Sequence, residues 1–93
     1  MSVFQLKDKL ELAGESFRSL KTAQAADPTN DVAFIAYAKL LVKFSGSAFR
    51  GSIEDTLKIK IAEEVKETRA ALERFTTPEA VSAKQALDAL KRR

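Results

Sequence analysis

An all-α fold is expected from three observations: apolar residues recur at helical spacing, helix-start signals punctuate the chain, and no convincing pair of strands can be drawn. Val3, Leu6, Leu10, Ala13, Phe17 and Leu20 follow one another at intervals of three and four, which lines one face of a helix. Asp27-Pro28-Thr29-Asn30-Asp31 and Thr76-Thr77-Pro78-Glu79 combine capping side chains with a proline that suits a first helical turn. The predicted architecture is a compact bundle of three to four antiparallel amphipathic helices in one domain, residues 1–93. The helices are placed at about 3–25, 29–45, 53–75 and 78–91.

The first helix starts behind Ser2, which is placed as an N-cap. Its stripe is heptad-like but too short to stand as a free coiled coil. Gly14 lies mid-helix beside that stripe, at a cost of about 1 kcal/mol relative to Ala, and a glycine there lets another helix approach closely. Pro28 cannot continue this helix and disfavours helical geometry at Asp27, but fits the first turn of the next, with Asp27 or Thr29 as its cap.

The second helix holds Val32, Ala33, Phe34, Ile35, Ala36, Ala38, Leu40, Leu41, Val42 and Phe44, which leaves little polar face. Such a helix is buried by more than one neighbour, so this is the central element. Gly46, Gly51 and the serines around them favour a break, kink or short turn after it.

Ser52 caps a third helix whose stripe is Ile53, Leu57, Ile61, Val65, Thr68, Leu72 and Phe75. Residues 56–61 alternate polar and apolar like a strand, but a lone short strand has no partner and the helical stripe runs straight through it, so helix is expected there. The fourth helix begins at Pro78, shows an Ala-rich face of Ala80, Ala83, Leu87 and Leu90, and is expected to pack weakly.

Composition excludes more than it assigns. The chain has neither His nor Cys, so the commonest transition-metal ligands, a disulfide framework and the usual nucleophile–base pairs are all missing. No enzyme activity, metal or cofactor is expected. Ser45 and Ser47 near Lys43 form the one Ser–Lys cluster, and serines beside glycines at a helix end serve as turn and capping residues. Glu63 and Glu67, one helical turn apart, could hold a hard cation, but Glu63, Glu64 and Glu67 alternate with Lys60, Lys66 and Arg69, the pattern of a solvated helix face. No apolar run reaches the roughly 20 residues that span a bilayer. Acidic residues from Asp8 onward interrupt any leader-like block, so a soluble, cytoplasmic protein is expected.

The formal charge of +3 comes from sixteen basic and thirteen acidic residues. Without Lys91, Arg92 and Arg93 the two counts are equal, so the basic balance is a tail and not a basic body.

The function expected is a non-catalytic protein–protein interaction or assembly module, acting as a homodimer or as a small subunit of a larger complex. Phe4 and Leu12 fall outside the first helix's stripe and widen it into a contact surface, to which Leu6, Leu10 and Phe17 belong. The alternative partner is nucleic acid. If the central helix continues, Lys39, Lys43 and Arg50 lie on one side of it, and Lys91, Arg92 and Arg93 add to that basic set. A third reading is a carrier of lipid or another apolar ligand, using Phe34, Tyr37, Phe44 and Phe49, although aromatics on a central helix ordinarily form core.

Overall fold

A computed structural model of the chain describes the backbone of residues 3–46 and 50–90, and the side chains of residues 11–46 and 50–90. Among them five helices follow one another without a strand: α1 Val3–Ala26, α2 Val32–Ser45, α3 Arg50–Leu57, α4 Ile61–Leu72 and α5 Pro78–Leu90. The all-α class expected from the periodicity holds, but the expected count of three to four does not. The segment read as one helix over 53–75 is two, and the first of them already begins at Arg50, so Ser52, expected to cap it, lies inside the helix. Ser2, the expected cap of α1, lies outside the described residues.

The split falls at Lys58, the one described non-glycine residue with positive φ, 55°. A left-handed residue there closes α3 as a Schellman-type cap, in which the Ile59 N–H donates to the Glu54 carbonyl at 3.1 Å. The Glu54 carboxylate then accepts from the Ile61 N–H at 2.8 Å, satisfying an orphan donor at the start of α4. One glutamate therefore ends one helix with its carbonyl and opens the next with its side chain. The 56–61 segment is accordingly neither the continuous helix expected nor a strand.

Pro28 also sits differently from expectation. α2 starts at Val32, and the residues before it form a turn in which Asp27 Oδ1 accepts from the Thr29 N–H at 3.2 Å and the Thr29 hydroxyl at 2.6 Å. Asn30 Oδ1 accepts from the Val32 N–H at 3.0 Å. These side-chain bonds supply the chain with a turn where helical bonds would otherwise form, and so delay the helix.

α2 packs against α1, α4 and α5, as its nearly all-apolar sequence requires. Phe34, Tyr37, Ala38 and Leu41 enter the core with Phe17 of α1, Ile53 of α3, Ile61, Val65 and Leu72 of α4, and Ala80, Ala83 and Leu87 of α5. Phe17 meets Tyr37 edge-on, ring centroids 5.2 Å apart. Gly14 of α1 is the close-approach site: a Cβ there would lie 3.1 Å from Leu57 Cδ2 of α3.

α5 is not the weakly packed helix its alanines suggested. It lies against both α2 and α4, and Ala80 and Leu87 are fully buried. Small side chains here shorten the distance between helices rather than weakening their contact. Thr77 caps α5 by accepting from the Ala80 N–H at 3.3 Å, and its hydroxyl donates to Asp31, joining the starts of α5 and α2. Arg69 of α4 pairs with Asp88 of α5 and, at 2.7 Å, with Glu73. The whole measures 42 × 32 × 19 Å. Its short dimension is two helices deep, since a helix with its side chains is about 10 Å across.

Candidate functional site

Two surfaces stand out, one on each side of α2. The first is built on an α2 face at the margin of the core, beside α5. Val32, Ile35, Lys39 and Val42 recur at intervals of three, four and three and so share one side of the helix. Val32 is 65% exposed, Ile35 and Val42 are half-buried, and Lys39 is exposed. Two adjoining hollows, of ≈ 350 Å³ and ≈ 150 Å³, run between this face and α5 and share Lys39, Ala83 and Ala86 in their linings. Methyl-sized floor residues keep the groove shallow and let another backbone come close.

The only charges on α2 are Lys39 and Lys43, both exposed, and no acid occurs from Val32 to Ile53. Arg50, expected to extend this basic set along a continuous helix, is displaced from it. α2 ends at Ser45, Arg50 opens α3, and its guanidinium donates to the Ser45 carbonyl at 3.3 Å and lies 3.9 Å from Glu54. Lys91, Arg92 and Arg93 lie outside the described residues.

α1 carries the opposite pattern. Leu12 is 63% exposed, and its neighbours Glu11 and Glu15 are exposed with it. Phe17, grouped with this surface by sequence, is 3% exposed and belongs to the core. The side chains of Phe4, Leu6 and Leu10 lie outside the described ones, although all three residues are in α1. Of the aromatics considered for an apolar ligand, Phe34 and Tyr37 are buried core, Phe44 is half-buried, and Phe49 is outside the described residues.

The second surface is a hollow of ≈ 530 Å³ among α1, α2 and the α3–α4 turn, lined by Phe17, Arg18, Lys21, Thr22, Tyr37, Thr56, Leu57, Ile59 and Glu64. At its base the Tyr37 hydroxyl donates to Glu64 Oε1 at 2.6 Å. Lys21 Nζ lies 3.3 Å from the same oxygen and 4.9 Å from the centre of the Tyr37 ring. Burial, and then the bond to Glu64, push the Tyr37 phenol above its usual range. Burial alone would raise the Glu64 carboxyl, but the Tyr37 hydroxyl and Lys21 outweigh it and hold the group below its ordinary value. This trio joins α1, α2 and α4, and sequence gave no sign of it, because its members carry no mutual spacing.

Among the described residues no three acidic side chains are placed together to hold a metal ion, and no helix is long and apolar enough to cross a membrane. Comparison with known proteins adds no likeness: no family model, curated protein or solved structure matches this chain.

Proposed function

We propose that the protein is a non-catalytic assembly module that pairs with a second copy of itself. In this pairing the acid-flanked Leu12 face of α1 docks on the apolar α2–α5 groove of the other copy. That groove is edged by Lys39 from α2 and Glu79 from α5, with Lys43 one turn on from Lys39 to receive the acids of α1. The observation that carries this reading is the match between those two faces. One offers Glu11, Leu12 and Glu15, and the other offers Lys39 and Lys43 beside Val32, Ile35 and Val42. An amphipathic helix laid in a groove is a common mode of recognition, and opposite charges at its edges fix register and choice of partner. A two-fold arrangement uses the contact twice, α1 of each copy on α2 of the other. The nucleic-acid alternative is supported less well, since Arg50 is engaged with Ser45 and Glu54.

Sedimentation equilibrium on charge-reversed variants tests the pairing. Glu11→Lys/Glu15→Lys and Lys39→Glu/Lys43→Glu are each expected to give monomer at concentrations where the wild type dimerises, and an equimolar mixture of the two is expected to form a mixed dimer. A wild type that stays monomeric at high micromolar concentration defeats the proposal. So does a dimer that neither reversal weakens.

A further inference from the structure

The hollow beside Tyr37 has the make-up of a small-ligand site rather than of a packing gap. Its ≈ 530 Å³ falls within the range of small-molecule pockets, and apolar walls with a few convergent polar groups are their usual composition. Its lining runs from the buried Phe17 and Tyr37 rings, in edge-on contact, through half-buried Leu57 and Ile59 to exposed Thr22 and Thr56.

Charge selects what would enter. Lys21 and Glu64 neutralise each other at 3.3 Å, and the Tyr37 hydroxyl is committed to the same carboxylate. That leaves Arg18. Its guanidinium folds back along α1, with Nη2 3.7 Å from the position a Cβ on Gly14 would take, in the space next to Leu57. No carboxylate among the described residues forms an ion pair with it. The lining as a whole therefore carries one positive charge in excess, on a group whose planar fork suits a carboxylate.

We infer that this hollow binds a small monocarboxylate with an apolar body, its carboxylate on Arg18 and its hydrocarbon over Phe17, Leu57 and Ile59. The hollow lies apart from the α2–α5 groove, but Arg18 stands one turn beyond Glu15 on the same side of α1. Ligand binding is therefore also read on the Lys39→Glu/Lys43→Glu variant, which leaves the hollow intact and separates failure of the site from failure of the pairing.

The chain has one Tyr and no Trp, so Tyr37 emission reports on this hollow alone. Titration with octanoate, alongside 1-octanol and octyltrimethylammonium as neutral and cationic bodies of the same chain length, is followed by that emission and by calorimetry. Octanoate is expected to saturate with unit stoichiometry and to bind more tightly than either control. An aromatic carboxylate, 2-naphthoate, added in a calorimetric arm, tells whether the wall prefers a chain or a ring. Arg18→Gln, an exposed change that keeps a good helix former, is expected to weaken octanoate about tenfold or more, the size of one charge-assisted hydrogen bond, with helix content unchanged. Thr22→Phe, which fills the exposed end of the hollow, is expected to abolish binding by sterics. The inference is overturned if neither carboxylate saturates at millimolar concentration, if a control binds as tightly as octanoate, or if Arg18→Gln binds as the wild type does.

Discussion

The two connections that flank α4 solve one problem in opposite ways. Between α4 and α5 the chain uses residue types chosen for the purpose: Thr77 caps and Pro78 occupies the first turn. Between α3 and α4 it uses a lysine in a left-handed conformation and a glutamate that serves both helix ends. The first kind of boundary is written in local chemistry. The second exists only once the chain has turned, because the Glu54 carboxylate reaches a backbone N–H seven residues on.

The comparison can be broken hardest at Ile61, the first residue of α4 and 1% exposed. Ile61→Ala leaves the Glu54 bond available but empties the core behind it, and is expected to lower unfolding free energy by about 3 kcal/mol in a urea titration. A loss comparable to that of a cap deletion would mean that the turn, and not the core, fixes the position of α4.

Alkaline titration probes the same region through Tyr37. Its phenol is raised in the folded state, so the stability it contributes is complete below the unfolded value near pH 10 and is lost as pH rises beyond it. Each pH unit above that point is expected to remove about 1.4 kcal/mol until the folded value is reached. With a single Tyr in the chain, tyrosinate absorbance and loss of helical circular dichroism are expected to appear together. Tyrosinate at pH 10 in a fully helical protein would contradict the burial of this group.

The two caps permit a direct contrast. Glu54→Ala and Thr77→Ala are each expected to cost about 1 kcal/mol. Because Thr77 also donates to Asp31, its loss should reach α2, whereas loss of Glu54 should stay with α3 and α4. Amide exchange read residue by residue distinguishes the two patterns. The smallest change is a gain. Lys58→Gly removes the cost of a left-handed lysine and returns part of it through a more flexible unfolded chain, for a net stabilisation of about 0.5 kcal/mol. A destabilisation would show that the Lys58 side chain makes a contribution of its own.

These same positions show what a reader of the sequence can and cannot recover. Ile53, Ile61, Val65, Thr68 and Leu72 are all buried, as their stripe implied, yet the stripe crosses a helix break. Periodicity reports which residues face the core. It does not report whether the backbone between them is continuous, and without Gly at the left-handed position nothing marked the stop. The turn at Asp27 was legible as punctuation, while the start of α2 was not, since Asn30 and Asp27 bind the backbone in competition with the helix. The exposure of Leu12 followed from its place off the α1 stripe. Glu64 looked like one of several acids on a solvated face, and only the fold brings it to a tyrosine twenty-seven residues away.

The 19 Å thickness of the molecule bears on how firmly its backbone is shielded. In a plate two helices deep every amide lies within about one helix diameter, ~10 Å, of bulk water, α2 included. Shielding of α2 therefore depends on the helices packed against it, α1, α4 and α5, and the slowest-exchanging amides are expected on its Tyr37 and Leu41 side rather than along Val32, Ile35 and Val42. A second copy laid over that outer side would give the central helix a roof, and deuterium uptake along α2 would fall with protein concentration.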